Sequence, residues 1–391
     1  MTSVFTPDPI AIVDVDSHLT EPPGLWVDHA PARFKDRVLR VVENDDGRPL
    51  WVVDGQPYGP IGNTLVGPDG EKIQGERSTT THRKFEELHK GAYDLTARLQ
   101  WLDGRGIHQQ IIFPNIPGFG AARFARQIED VELRTACVTA YNDAAAEMWR
   151  DSGHRLMPLA LVPFWDIDTS VREVRRIRTE LDLHGITMCD NPGGYGFPSL
   201  DDPAWAPFWS ACEDLGVAVA FHIGSAAMGP APIWNTTGGE AQAILTVNSF
   251  LSNSWVVTNL IFSGVLLRHP RLKVFSAESG IGWIPFLLEA MDYQWHENLT
   301  AADKRNTWGG MTPSEVFRRN IYVSYWFEQF GPRQAMEAAG VDNVMFETDF
   351  PHGTALTDRS TAQVAATLAG FSPEVRRKVL RDNAARLYDL D

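Results

Sequence analysis

Residues 11–18 read Ala-Ile-Val-Asp-Val-Asp-Ser-His, an apolar run that ends on polar side chains. Seven further apolar runs follow, and helical spacing fills most of the intervals between them. Short buried strands that alternate with helices predict a parallel sheet, and eight such strands predict a closed (β/α)8 TIM barrel. The predicted strands are residues 11–15, 110–114, 156–163, 185–189, 217–222, 272–277, 321–325 and 344–348, and the clearest helical stretches are 85–102, 131–150, 170–183, 203–215 and 361–368.

Two stretches break this alternation. Residues 35–81 are rich in Gly, Pro and charge, and they contain a predicted hairpin formed by residues 38–42 and 49–53. We expect this small insertion after the first strand to form a lid or rim. Residues 224–239 form a second loop, rich in Gly, Pro and Ala. Because the sequence has no evident linker or internal repeat, residues 1–391 are predicted to form one barrel.

The charge balance limits the classes of molecule that the protein can bind. The chain carries 35 basic and 50 acidic side chains, for a formal net charge of −15. A surface this acidic repels phosphate backbones and anionic lipid heads, so we expect neither nucleic acid nor membrane as a partner. The expected partner is a small-molecule substrate, which can be anionic because a bound metal dominates the field inside its own site.

The cysteines and the N-terminus indicate the compartment. Cys137, Cys189 and Cys212 are not clustered, which argues against a disulfide framework and against a zinc–thiolate site. Residues 1–10 have neither a basic start nor an apolar run, so no signal peptide is predicted. No apolar run reaches the roughly 20 residues of a membrane helix. We therefore expect buried free thiols in a cytoplasmic protein.

Polar side chains that could bind a metal stand at the ends of several predicted strands. Asp16 and His18 end the first strand, His222 ends the fifth and Asp349 follows the eighth. Alternation along a strand places Asp16 and His18 on one face, toward the barrel interior. Burying such groups beside apolar runs needs a compensating partner, which a divalent ion supplies. Because barrel strands end on a common rim, these four residues predict a metal site.

Each polar residue at a strand end also has a structural interpretation. A lone histidine after a strand is usually a hydrogen-bonded core residue, and a lone aspartate before a proline-containing turn is usually a cap. Glu278, after the sixth strand, is a general base, a metal ligand or one half of an ion pair with an arginine. For His352 we expect a hydrogen bond to the substrate or to a metal-bound water, or else a role in orienting a ligand or capping a turn. Further candidates are Glu21, which is expected to cap a turn, and Asp190, Asn191 and Glu328.

The chain resembles the amidohydrolase superfamily. The matching segments are residues 13–22 (VDVDSHLTEP), 221–224 (FHIG), 262–265 (FSGV) running on to 269–273 (HPRLK), 276–285 (SAESGIGWIP) and 346–352 (FETDFPH). These segments span nearly the whole chain in the family's order. The sequence looks similar to the amidohydrolase-2 branch, which contains aminocarboxymuconate-semialdehyde decarboxylase, resorcylate-type decarboxylases and pyrone-dicarboxylate lactonase.

The resemblance implies metal ligands at Asp16, His18, His222 and Asp349, which hold one divalent ion. Glu278 would join this ion or bring in a second one. Asp16 and Glu278 stand where many members have histidine, and added carboxylates favour manganese, iron or magnesium beside zinc. Family members are often dimers, so the resemblance also implies a homodimer.

These departures make hydrolysis the expected reaction. A metal-activated water, deprotonated by Asp349 or Glu278, would attack an ester, thioester, lactone or amide carbonyl. The expected substrate is a small cyclic or aromatic carboxylic compound, and His352 is the third expected catalytic residue. The alternative is non-oxidative decarboxylation at the same metal, with Asp349 protonating the ring carbon. A catalytically inactive binding protein would have lost some metal positions, and all four are occupied by competent ligands.

Overall fold

The computed structural model describes residues 3–6, 9–75, 83–225 and 236–390. Parallel strands form a barrel, and a small antiparallel sheet lies outside it. In chain order the strands are β1 (Ile12–His18), β2 (Arg40–Glu43), β3 (Pro49–Val53), β4 (Gln56–Pro60), β5 (Ile107–Phe113), β6 (Leu156–Pro158), β7 (Ala160–Leu161), β8 (Gly185–Thr187), β9 (Ala218–His222), β10 (Val274–Ala277), β11 (Ile321–Tyr325) and β12 (Val344–Phe346).

The parallel strands close into a ring. Strands β1, β5 and β6 pair in one series, and β7 to β12 pair in a second. Strands β6 and β7 are parts of one stretch interrupted at Leu159, whose amide donates to the Ile112 carbonyl of β5 at 2.8 Å. Strand β12 meets β1 through hydrogen bonds from the Asp349 amide to Asp16 (2.9 Å) and from the His18 amide to Phe350 (2.8 Å). The predicted (β/α)8 barrel is confirmed, and candidate ligands form its closing junction.

Helices follow most barrel strands. They are α1 (Leu25–His29), α2 (Leu95–Arg105), α3 (Ala122–Gln127), α4 (Val131–Asp151), α5 (Ile167–Thr179), α6 (Ala206–Leu215), α7 (Gly238–Phe250), α8 (Asn253–Phe262), α9 (Val265–Arg268), α10 (Ile284–Asn298), α11 (Ala301–Asn306), α12 (Pro313–Asn320), α13 (Pro332–Ala339), α14 (Asp358–Ala369), α15 (Pro373–Arg377) and α16 (Asn383–Tyr388). Within the described ranges, none of these helices combines the length and apolar character that a membrane span requires.

Capping side chains set where the helices begin. Helix α2 was predicted to begin at residue 85, but it begins at Leu95 because the Asp94 carboxylate accepts the amide of Ala97 at 2.7 Å. Helix α5 begins three residues earlier than predicted, since Asp166 accepts the amide of Thr169 at 2.8 Å. Such caps satisfy amides that have no partner within the helix, so they determine a boundary that apolar spacing leaves open.

The insertion forms a three-stranded antiparallel sheet, β2–β3–β4, where the sequence predicted two strands. Strand β4 lacks a sequence signal because it contains one Gly and two Pro, which are unfavourable in strands. Trp51 of β3 packs edge-on against Trp26 of α1, with 5.0 Å between ring centroids. Residues 76–81 of the predicted insertion and residues 226–235 of the second loop lie outside the described residues.

The insertion also reaches the loop that follows β12. The Leu65 amide donates to the Pro351 carbonyl at 2.9 Å. The Lys72 ammonium donates to the Gly353 carbonyl at 2.8 Å. These two bonds tether the segment just beyond Asp349, so the insertion contributes to the position of the candidate ligands.

A buried arginine on α2 ties β1 to the same loop. Arg98 is fully buried, and its Nη2 donates to the carbonyls of His18 (3.1 Å) and Phe350 (3.3 Å). Burial lowers the pKa of Arg98 to about 9. The guanidinium therefore holds together the two backbone segments that close the barrel.

The contacts of Arg98 continue into a polar network inside the apolar core. Its Nε donates to the Gln110 side chain at 2.7 Å, and the Gln110 amide donates to Asp14 at 2.6 Å. Asp14 also accepts the amide and the hydroxyl of Thr348, at 2.9 and 2.5 Å. Buried polar groups are stable only when they are paired, so this network links α2, β5, β1 and the residues after β12 as one unit.

We predict that Arg98→Met destabilises the protein, because it leaves two buried carbonyls and Gln110 without their donor. The expected loss is about 3 kcal/mol in the free energy of unfolding. Urea unfolding measures it, with Arg175→Met on the exposed face of α5 as the matched control. An equal midpoint for the two variants would contradict a structural role for the network.

Candidate metal centre

Five polar side chains converge at the C-terminal ends of the barrel strands. Asp16 and His18 lie on β1, and His222 is the last residue of β9. Glu278 directly follows β10, and Asp349 follows β12 by three residues. All five are buried. The rim of a parallel barrel collects side chains that are far apart in sequence, which is why four separate strands supply this cluster.

The facing atoms of these side chains lie close together. His18 Nε2 is 3.4 Å from Asp16 Oδ1 and 3.3 Å from Asp349 Oδ1. His222 Nε2 is 3.4 Å from Asp16 Oδ2 and 3.2 Å from Glu278 Oε2. Ligand atoms at bond lengths of about 2.1 Å around a common ion are separated by roughly 3.0–3.4 Å when they are neighbours in its shell. The observed spacings match such a shell.

The polar atoms of this cluster are unsatisfied by the protein itself. Both oxygens of Asp16, both ring nitrogens of His18, Nε2 of His222 and Oδ1 of Asp349 are buried without a hydrogen-bond partner. A buried polar atom without a partner costs free energy, so native proteins rarely retain several in one place. The mixed nitrogen and oxygen donors suit a divalent ion. The residues present therefore fit a bound metal.

Two local features orient the donors. His222 Nδ1 lies 2.7 Å from the carbonyl oxygen of Ile223, which only accepts, so Nδ1 holds the proton and Nε2 presents its lone pair. Glu278 and Asp349 have φ of 51° and 54°, in the left-handed region that such residues seldom adopt. Backbone strain of this kind collects at functional sites, where the surrounding structure holds it.

Aromatic rings pack against both histidines of the cluster. Phe119 stacks on His222 with 3.7 Å between centroids, and His352 stacks on His18 with 3.6 Å. Phe113 approaches His222 edge-on at 4.8 Å. These contacts hold the imidazoles in place and exclude water from one side of the cluster.

His352 lies beside the cluster. Its Nδ1 lies 3.2 Å from Asp349 Oδ1, and its Nε2 lies 2.8 Å from Asn115 Oδ1. Potential ligand atoms of His18, Glu278, Asp349 and His352 lie within 4.8 Å of one another, as do those of Asp16, His18, His222 and Glu278. His352 is thus placed to orient Asp349.

Thr354 belongs to the site and was not predicted from the sequence. Its hydroxyl contacts Glu278 Oε1 at 2.9 Å and also contacts Asp349 Oδ2. It lies in a loop, outside any strand, so neither alternation nor a motif singles it out. Thr354 connects the two carboxylates that follow β10 and β12, the strands on either side of β11.

Glu347 is a second residue that the sequence did not reveal. It is fully buried below Asp349, and its Oε2 accepts the Ser324 hydroxyl and, at 3.4 Å, the Glu278 amide. It lies within residues 344–348 (VMFET), the predicted eighth strand, and no role is predicted for it from the sequence. Alternation does place residues 347 and 349 on one side, and that signal could have found it.

The surrounding charges shift the pKa values within the cluster. Burial raises the pKa of Glu278 well above its usual range, and the nearby Asp349 and Asp16 carboxylates raise it further. Burial alone would lower the pKa of His18, but its contacts with Asp16 and Asp349 raise it to about 9. Burial and the neighbouring His18 lower the pKa of His352 to about 4. Glu278 is therefore the carboxyl group of the cluster that most readily keeps a proton.

Several other predicted candidates have structural roles away from the cluster. Glu21 accepts the amides of Asn115 and Ile116, at 2.7 and 2.9 Å, which agrees with the expected capping role. Glu328 similarly accepts the amides of Ile281 (2.6 Å) and Gly282 (3.0 Å). Asp190 and Asn191 line a cavity beside the cluster.

The comparisons with known proteins agree on the family. The amidohydrolase family model matches residues 96–390. The 2-amino-3-carboxymuconate-6-semialdehyde decarboxylase of Dictyostelium discoideum is 25% identical over 311 residues, 78% of this chain and 80% of its own length. The structure of 5-carboxyvanillate decarboxylase from Sphingomonas paucimobilis is 26% identical, covers 77% of this chain and 85% of that chain, and has a TM-score of 0.59.

A further structure is similar in fold. The 5-carboxyvanillate decarboxylase of Novosphingobium aromaticivorans, solved in complex with manganese, has a TM-score of 0.66 and 16% identity, and the match covers 100% of this chain and 99% of that chain. This likeness supports the same barrel across the full length of the chain.

The expectation of a hydrolase is wrong, because these relatives are decarboxylases. The carboxylates at Asp16 and Glu278 were interpreted as favouring activation of water. A carboxyl group beside a metal can equally hold a proton for a carbon atom, so the residue types do not distinguish the two reactions. The family model covers most of the chain, and the protein is an enzyme that belongs to the amidohydrolase superfamily.

Proposed function

We propose that this chain is a metal-dependent, non-oxidative decarboxylase of an aromatic or unsaturated carboxylate. The observation that carries the proposal is the match, over more than three quarters of both chains, to two proteins named as decarboxylases of such compounds. The buried cluster of carboxylates and imidazoles at the barrel rim supports it, because that is where barrel enzymes hold their chemistry.

Asp16, His18, His222 and Asp349 would hold the ion, with Glu278 at the edge of its shell. Oxygen donors make up half of this set, which favours manganese or iron over zinc, and a relative of the same fold contains manganese. When bound, the ion supplies positive charge that binds the substrate carboxylate and stabilises negative charge that develops on the substrate.

The reaction breaks the bond between the carboxylate carbon and the ring or chain carbon. Carbon dioxide leaves, the electron pair stays on the ring carbon, and a proton must reach that carbon. Asp349 and Glu278 share the Thr354 hydroxyl. A proton on either carboxyl group would let that group donate to the Thr354 oxygen while the hydroxyl donates to the other carboxylate. We propose that Asp349 and Glu278 together supply the proton that reaches the ring or chain carbon.

The surroundings of the pair suit this role. His352 lies between Asp349 and Asn115 and would hold Asp349 in the orientation for proton transfer. Phe119 and Phe113 cover His222 and would limit the access of water. The insertion of residues 35–81 binds the loop after Asp349 and would act as a lid over the site. The insertion and the barrel would together form a single catalytic domain.

We predict that His222→Ala and Asp16→Ala abolish stoichiometric metal binding. The wild-type protein is expected to bind about one equivalent of manganese or iron, and each variant less than about a tenth of an equivalent. Metal analysis after growth and purification without chelator measures this. His269→Ala is the control, because His269 contacts Glu213 at 3.4 Å in the loop before β10, away from the rim. A variant that retained full metal would remove that residue from the ligand set.

We predict that Thr354→Val lowers kcat by at least about tenfold, while metal content and KM stay near the wild-type values. Valine keeps the shape of the side chain and removes the hydroxyl that joins the two carboxyl groups. Thr354→Ser is the matched control and should restore most of kcat. Loss of metal from Thr354→Val, or an unchanged kcat, would contradict the assigned role.

We predict that the metal-loaded protein releases carbon dioxide from a hydroxylated or unsaturated carboxylate in a panel that includes 2,6-dihydroxybenzoate and 5-carboxyvanillate. In deuterium oxide the product should carry deuterium at the carbon that lost the carboxylate. Mass spectrometry of the product, with oxygen-18 water in a parallel reaction, distinguishes the reactions. Incorporation of oxygen from water without release of carbon dioxide would overturn the proposal.

A further inference from the structure

A cavity of about 890 Å³ lies beside the metal cluster. One side is formed by Asp190 and Asn191, which follow β8, and by Gly224, two residues beyond His222. The other side is formed by α7 and α8. Among the residues that the structure describes, none of the five candidate ligands lines this cavity. The cavity is thus adjacent to the metal cluster but is lined by a different set of residues.

The polar groups on the helical side offer acceptors to the cavity. Asn248 donates its side-chain amide to the Ile244 carbonyl at 2.8 Å. Ser249 and Ser252 donate their hydroxyls to the carbonyls of Leu245 (2.8 Å) and Ser249 (2.7 Å). Ser249 and Ser252 use their single hydroxyl hydrogens within the helices, so these hydroxyls keep lone pairs for a ligand, while Asn248 keeps its side-chain oxygen and one amide hydrogen. The lining therefore suits a ligand that brings its own hydrogen-bond donors.

The opposite side of the cavity carries the carboxylate of Asp190. Asp190 Oδ1 is buried without a hydrogen-bond partner. Burial raises the pKa of Asp190 to about 6, so the group is largely ionised at neutral pH. A second carboxylate, Asp201, lies at the edge of the cavity, where it accepts the Ser199 hydroxyl at 2.6 Å. An ionised carboxylate in a partly closed cavity attracts a cationic donor.

The described lining of the cavity carries negative charge and no basic side chain. Of the described residues that line the cavity, none is Lys, Arg or His. The whole chain has a net charge of −15. An anionic ligand would therefore enter a negative field, whereas a cationic ligand would be drawn in.

Apolar side chains form the remaining wall. Leu245, Leu251 and Val256 line the cavity together with Trp255, whose side chain is 72% exposed. An indole ring at the mouth of a cavity can pack on an apolar body and can also attract an ammonium group through its face. Apolar walls with a few placed polar groups are typical of small-molecule sites.

We propose that this cavity is a binding site for a small organic cation, with a protonated amine facing Asp190 and an apolar or aromatic body between α7 and α8. The ligand chemistry has two sources: an amine-bearing end of the substrate, or a separate amine that occupies the site alongside it. The site rests on its own residues and does not depend on the reaction proposed above.

The test uses three probes with the same ring: tyramine, its neutral alcohol analogue tyrosol, and 3-(4-hydroxyphenyl)propionate. Calorimetric titration of the full-length, metal-loaded protein measures each affinity. Tyramine should bind at least about tenfold more tightly than the alcohol, because only the ammonium group pairs with Asp190. The carboxylate should bind more weakly than both.

Asp190→Asn should weaken tyramine binding by at least about tenfold and leave tyrosol binding nearly unchanged. Asp168→Asn is the matched control, because Asp168 is exposed on the first turn of α5 and far from the cavity in the fold. Ser249→Leu, which fills the cavity from α7, should remove binding of both probes and provides the test if Asp190→Asn does not fold. Equal affinity for all three probes, or tyramine binding unaffected by Asp190→Asn or by Ser249→Leu, would overturn the proposal.

A decarboxylation assay in the presence of tyramine separates the two sources. A raised KM for the carboxylate substrate places the cavity in the path of the substrate, and an unchanged KM places a separate amine there. Binding is measured without turnover. If the protein binds tyramine but releases no carbon dioxide, that result would contradict the proposed decarboxylation and still support this binding site.

Discussion

The structure depends on the burial of two carboxylates and two imidazoles at one point on the barrel rim. Asp16, His18, His222 and Asp349 are all buried, and most of their facing atoms have no partner within the protein. Such a cluster is costly unless something binds it, and the cost per unpaired polar atom is of the order of a few kcal/mol. A divalent ion bound to these four side chains would offset that cost and would supply the chemistry proposed for the site.

The surrounding structure holds the segments that carry Asp16, His18, His222 and Asp349 in place. The Arg98 network joins β1 to the residues before and after Asp349, and the insertion binds the loop just beyond it. On the opposite side of the rim, the His222 ring is fixed by the Ile223 carbonyl and by Phe119. Side chains that are fixed by such hydrogen bonds and packing contacts keep their orientation when an ion leaves and another binds. A preformed metal site requires this.

The sequence predicted those features that follow from local pattern. Apolar runs with polar ends located the eight barrel strands and brought Asp16, His18, His222, Glu278 and Asp349 to one rim. The sequence did not predict Thr354. A loop residue that bridges two carboxylates belongs to no periodic pattern and does not lie at the end of a strand. No role was predicted for Glu347, which lies inside the eighth strand, and the sequence did not predict the start of α2, which depends on the Asp94 cap. The roles of Thr354 and Glu347 arise from contacts with Glu278, which is distant in sequence, whereas the start of α2 depends on a local cap.

The reaction could not be predicted from the ligands either, because a carboxyl group beside a metal serves water activation and proton delivery to carbon equally well. The relatives, rather than the residue types, distinguish the two. What both reactions share is the ion. Anomalous diffraction from crystals grown with manganese tests that claim most directly. We expect a single strong peak at about 2.0–2.3 Å from atoms of Asp16, His18, His222 and Asp349. A peak elsewhere, or none at this cluster under full manganese loading, would contradict it.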